Sequence, residues 1–176
     1  SVLTALGCSY SCTYCYVSSL IDNLKEAYSE VDVRPPSIIQ DRLLETVVQE
    51  GEEILALDKI YGVKTTAVFD QADISLNNMH WWEQLKNLWV DRVGIPFYIQ
   101  ARPAMLAGKK GKQRIKLISD KGLVAGISMA IESGNPKIRK LLLDRHESND
   151  TILDAINNVK ERNIPLRTQS IIGLPV

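Results

Sequence analysis

The chain has 176 residues, 45% of them hydrophobic, and its 21 Lys+Arg balance 21 Asp+Glu to a formal net charge of zero. That length carries one domain with a sizeable core, and the charge balance excludes a general polyanion binder. No apolar run reaches the ~18 residues of a membrane span and no charged segment leads into a signal-type apolar stretch, while three cysteines cannot pair completely, which points to a reducing cytoplasm rather than a secreted disulfide scaffold.

The first β-rich run is Val2–Leu6, and it leads into LGCSYSCTYCYVS (6–18), which holds Cys8, Cys12 and Cys15, all the cysteines of the chain. Pro35-Pro36-Ser37 predicts a helix start, with Ser37 as N-cap and Gln40 placed as in a capping box. Behind it Leu43, Leu44, Val47, Val48, Ile54 and Leu55 keep a helical stripe. Lys64–Asp70 reads as the second strand, and Trp82, Leu85, Trp89 and Val93 mark the next helix, a core stripe or else a ligand platform. Ile95–Ala101 is the third strand. The basic cluster Lys109, Lys110, Lys112, Arg114 and Lys116 reads as a solvated loop and helix start, with nucleic-acid contact as the alternative. Its helix runs through Ile115, Leu117 and Ile118 to Gly122, and Ala125–Glu132 is the fourth strand. A last helix with Ile152, Ala155, Ile156 and Val159 ends near Asn163, ahead of Pro165 and the fifth strand, Leu166–Ile172.

Strands and helices alternate with a period of ~30 residues, the signature of βαβ crossovers and a parallel sheet. The fold class is α/β, either a partial (β/α) barrel or a doubly wound sheet. The chain stops just after the fifth strand, so we expect a piece of a longer protein.

Three thiols at spacings of four and three can converge on one point, and soft thiolates select zinc, copper(I) or iron–sulfur clusters. Structural zinc wants a fourth ligand. His80 and His146 are distant in sequence and read as surface or helix-flank residues. A four-iron cube held by three cysteines keeps one iron for a substrate or cofactor, unlike electron carriers, which close all four corners. Cys8 directly follows the first strand, at the C-terminal mouth where (β/α) proteins build active sites.

With Tyr14 before its last cysteine, the C-x₃-C-x₂-C run resembles the radical S-adenosylmethionine (SAM) superfamily. FDQAD (69–73), AIESGN (130–135) and SIIGLP (170–175), each closing a strand, strengthen the likeness, which covers essentially the whole chain. The order is most similar to the branch that often carries a cobalamin-binding domain, and to the methylthiotransferases. The resemblance implies a partial TIM-like barrel of parallel strands, with about five of six strands present.

It implies that Cys8, Cys12 and Cys15 ligate a [4Fe–4S] cluster, that SAM chelates the fourth iron, and that reductive cleavage yields methionine and a 5′-deoxyadenosyl radical that takes hydrogen from a substrate. An electron donor such as flavodoxin or ferredoxin is implied, and cobalamin only through a domain outside this chain. Tyr14 matches the aromatic beside the cluster; its alternative is plain packing. Where the family commonly has Gly-Gly-Glu for the methionine ammonium, this chain offers Asp70 or Asp73, a departure that weighs against the coproporphyrinogen-oxidase branch. Arg102, just past the third strand, is a bidentate partner for a carboxylate or phosphate, or a surface salt bridge. Glu132 and Ser133 match ribose and methionine contacts, with a helix-capping role for Ser133-Gly134-Asn135 as the alternative. The run Gln169–Gly173 matches the adenine cradle, with Ile171 against the ring, Gln169 standing where the family often has glycine and so reaching the substrate or cofactor, and Gly173 alternatively serving a turn before Pro175. Two other classes compete with a radical enzyme: an iron–sulfur electron carrier, which needs a fourth ligand, and a zinc-stapled structural or binding module.

Overall fold

The computed structural model describes residues 1–31, 39–70 and 78–174. Six strands are β1 (Ala5–Gly7), β2 (Ile39–Asp41), β3 (Val68–Asp70), β4 (Phe97–Ala101), β5 (Val124–Glu132) and β6 (Leu166–Ser170). The α-helices among the described residues are α1 (Tyr16–Glu30), α2 (Leu44–Tyr61), α3 (Met79–Arg92), α4 (Pro103–Leu106), α5 (Gly108–Ser119), α6 (Pro136–Leu141) and α7 (Asn149–Lys160), with a 3-10 turn at Asp120–Gly122. β3, β4, β5 and β6 form one parallel sheet in chain order, and it does not close. The α/β class and the partial TIM-like arrangement are therefore as expected, since each parallel step needs a helical crossover.

The first strand differs from expectation. β1 is only three residues long and pairs antiparallel with β2, reaching the parallel sheet through a single bridge from Val2 to Asp70. This pairing also corrects the predicted helix start. Ser37 lies outside the described residues, and Gln40 is in β2, opposite Leu6. The helix begins at Leu44, after Leu43. Backbone hydrogen bonding to β1 outweighs the local capping pattern, as tertiary context often does.

The sheet has two unlike faces. Val68, Phe97, Ile99, Ala101, Ile127 and Met129 join the buried cluster built with Val47 and Val48 of α2, Trp82, Leu85 and Trp89 of α3, Ile115 and Ile118 of α5, and Ala155 and Val159 of α7. The tryptophan stripe is thus core. Trp82 packs edge-on against Phe97 at 5.7 Å, and the buried indole Nε1 of Trp89 donates to the Ile95 carbonyl. Strand alternation turns Phe69, Tyr98, Gln100, Ser128 and Gln169 to the other face. There Phe69 stacks on Tyr98 at 6.0 Å, and Gln100 donates to Gln169 across β5.

Helices α2 and α3 meet through Gly51. A Cβ there would stand 2.6 Å from the Trp89 ring and 2.8 Å from Val93. Gly51→Ala is therefore expected to destabilise the chain by about 1–3 kcal/mol through overpacking, measured as a lower urea midpoint with tryptophan fluorescence; an unchanged midpoint contradicts this packing.

Lys109, Lys110, Lys112 and Lys116 are exposed on α5, in line with a solvated face. His80 and His146 are exposed as well. Among the described residues, no helix is long and apolar enough to cross a membrane.

Candidate functional site

The C-terminal ends of β1, β3, β4, β5 and β6 carry Cys8, Asp70, Arg102, Glu132 and Ile171 respectively, at or one residue past the last strand position. Gly7 ends β1 with φ 85°, a left-handed turn that suits glycine, and the cysteine loop starts there. The Cys15 amide donates to the Cys12 carbonyl at 3.1 Å, and Cys15 is the N-cap residue of α1. The Tyr10 amide donates to Cys8 Sγ at 3.5 Å. Cys12 is buried, whereas Cys8 and Cys15 are partly exposed.

The loop is docked from outside onto the segment after α6. The Thr13 amide donates to the Leu143 carbonyl at 3.3 Å and its hydroxyl to the Leu142 carbonyl at 2.6 Å. Ser11 Oγ donates to Asp144. The same segment sends two side chains inward that the sequence analysis did not single out, Arg145 and Glu147. Arg102 is buried rather than on the surface. Its Nε and Nη2 donate to both oxygens of Glu147 at 2.7 and 2.9 Å, and its Nη1 to Cys12 Sγ at 3.5 Å. The guanidinium carbon lies 3.7 Å from the centre of the Tyr10 ring. So Arg102 finds a carboxylate in bidentate geometry, but it belongs to the protein.

Arg145 holds the neighbouring carboxylate. Its Nη1 donates to Tyr14 Oη at 2.9 Å and to Glu132 at 3.3 Å, and its Nη2 to the Ala130 carbonyl at 2.7 Å. Tyr14 in turn donates its hydroxyl to Glu132 at 2.9 Å. Glu132 reaches this position through an irregularity in the β5–β6 register and a left-handed backbone with φ 66°. Burial raises the Tyr14 phenol well above its ordinary pKa, against the hydrogen bond and charge of Arg145, so it remains a donor. Burial also pushes the Glu147 carboxyl up, but Arg102 and Arg145 outweigh it and hold the group below its ordinary value. Burial lowers the Arg102 pKa, and Glu147 then raises it above the usual value, with smaller help from Cys12 and Tyr10, so both members of the pair stay charged.

The other expected positions gather at the same edge with differing engagement. Ser133 Oγ accepts from the Asn135 amide at 3.2 Å, while Asn135 itself is the N-cap of α6. Gln169 sits on β6 opposite Ala130. The Ile171 amide donates to the Glu132 carbonyl at 2.8 Å, tying the end of β6 to the end of β5. Gly173 has φ 82°, and among the described residues nothing outside its chain neighbours lies within 4 Å of where its Cβ would be. Asp70 is buried, and its two oxygens accept from the Thr4 amide at 3.3 Å and hydroxyl at 2.8 Å, which pins β1 to β3. Asp73 lies outside the described residues.

Among the described residues, no three His, Cys, Asp or Glu side chains group tightly enough for a single metal ion. A cluster spreads its cysteines over separate corners, and a buried guanidinium aimed at one sulfur suits the negative charge of thiolate-bound iron. By chemistry the donors, three soft thiols carried by one loop with a buried cation at one of them, suit an iron–sulfur cluster. Compared with known families, the chain matches the Radical SAM superfamily over residues 2–176. No curated protein matches it.

Proposed function

This chain belongs to the radical SAM superfamily, and we propose that Cys8, Cys12 and Cys15 hold a [4Fe–4S] cluster whose fourth iron binds the amino and carboxylate groups of SAM. When bound, the two groups supply reductive cleavage of SAM to methionine and a 5′-deoxyadenosyl radical, which takes hydrogen from a substrate. The observation that carries this reading is the buried guanidinium of Arg102, clamped by Glu147 and directed onto Cys12 Sγ within the loop of three cysteines.

The chain's own residues do the positioning. Arg145 fixes Tyr14 and Glu132 together, so a ring of the cysteine loop and a carboxylate at the end of β5 are held side by side. Glu132 and Ser133 bind the ribose and the methionine end of SAM. Gln169, Ile171 and Gly173 form the adenine side; the left-handed turn at Gly173 leaves the space beside its backbone free for a flat ring. Asp70 acts one step back, holding β1 and so the start of the loop, while Asp73 receives the methionine ammonium.

The order of the strand-end motifs supports a place beside the cobalamin-associated branch, whose cobalamin sits in a separate domain. We place the enzyme in the cytoplasm with a flavodoxin or ferredoxin as electron donor. The test is anaerobic reconstitution with iron and sulfide, reduction, and electron paramagnetic resonance (EPR) with and without SAM. Binding of SAM at the cluster is expected to move the g-values and, over time, to release 5′-deoxyadenosine. A reduced cluster whose spectrum ignores SAM overturns the reading and favours an electron carrier.

A further inference from the structure

We propose that Arg102 and Glu147 set the reduction potential of the cluster through Cys12, Arg102 raising it and Glu147 lowering it. This rests on the three cysteines holding the cluster.

The geometry is specific. Arg102 is the N-cap residue of the short helix α4, where Pro103 fixes the first turn, so its backbone position is set by the end of β4. Its side chain is 4% exposed and that of Glu147 6%. Two N–H groups are spent on Glu147 in fork geometry, which leaves Nη1 directed at Cys12 Sγ. The Tyr10 ring closes the remaining face of the guanidinium. Through its amide, Tyr10 also touches Cys8 Sγ, which links that sulfur to the cation that contacts Cys12 directly.

Reduction adds one electron to the cluster from a low-potential one-electron donor, and no bond forms or breaks. The reduced form carries one more negative charge. A cation and an N–H donor at a ligand sulfur stabilise that form, and the low local dielectric magnifies the effect. Glu147 opposes it from the far side of the same guanidinium. The two substitutions should therefore move the potential in opposite directions, which a purely structural clamp would not do.

The full 176-residue chain is reconstituted anaerobically with iron and sulfide, iron per chain is counted, and the potential is titrated by EPR. Arg102→Met is expected to disfavour reduction about tenfold, a shift of ~59 mV to more negative potential for one electron. Glu147→Gln should shift it to more positive potential, and Arg102→Lys should fall between wild type and Arg102→Met. If Arg102→Met fails to fold or to load, Glu147→Gln and Arg102→Lys carry the comparison. Loaded variants whose potentials match wild type, or move in the same direction, overturn this inference alone. A wild-type chain that takes up no iron overturns the cluster reading, and this inference with it.

Discussion

Cys12→Ala is expected to abolish iron uptake, the brown absorbance and the SAM-dependent EPR response, while the fold survives. The expectation separates a loop from a core. Cys12 lies between β1 and α1, and the packed cluster of Trp82, Trp89, Phe97 and Ile118 sits on the helix-covered face of the sheet. Removing one sulfur costs Arg102 a weak acceptor, but both hydrogen bonds from Arg102 to Glu147 remain. The stability loss should therefore stay near about 1 kcal/mol, the centre of the range for single substitutions. The cluster, in contrast, loses one of three protein corners. Cys8→Ala and Cys15→Ala should lose iron equally, because the corners are equivalent. Iron and sulfide assays, the visible spectrum and far-ultraviolet circular dichroism check the set. A Cys12→Ala chain that unfolds outright would turn the argument toward a structural metal staple.

The elements that periodicity could reveal were legible. The three later strands and the Trp82–Trp89 stripe come out close to their observed places, because each buries an apolar face with a clear period, whereas the strand expected over Lys64–Asp70 is only Val68–Asp70. β2 left no such trace: it is three residues long, and its partner, β1, lies more than thirty positions earlier. The cysteines and the strand-end carboxylates were visible as candidates, since a charged residue closing an apolar strand must find water or a partner. The partners were not. Arg145 and Glu147 stand in Asp144-Arg145-His146-Glu147, which looks like a solvated charge run. A signal existed: Leu143, Arg145 and Glu147 alternate with Leu142, Asp144 and His146, and the odd-numbered residues are the buried ones. Period-two alternation marks a segment with one face inward, here carried through a left-handed Asp144 with φ 50° rather than by a regular strand. Nothing in the sequence says that the inward face would meet a cysteine loop more than 120 positions away, and that distance is bridged only by the fold.

Arg145→Met is expected to cost about 3–5 kcal/mol, because it leaves buried negative charge without its partner. Arg145 is 2% exposed and joins three elements. It donates to Tyr14 in the cysteine loop, to Glu132 at the end of β5 and to the Ala130 carbonyl within β5, and it lies 3.8 Å from Glu147. With methionine in its place, Glu132 keeps only the Tyr14 hydroxyl among these partners, and Glu147 keeps its two hydrogen bonds from Arg102. The volume is nearly retained, so the loss measures charge and hydrogen bonding rather than a cavity. Urea unfolding followed by the buried tryptophans gives the number, and the double variant with Glu132→Gln gives its origin. Neutralising Glu132 in wild type strips Arg145 of a partner and destabilises; neutralising it in the Arg145→Met background removes a stranded charge and should recover part of the loss. Additive losses in the two backgrounds would mean that the ion pair contributes nothing of its own, and the clasp between the cysteine loop and β5 would then rest on packing.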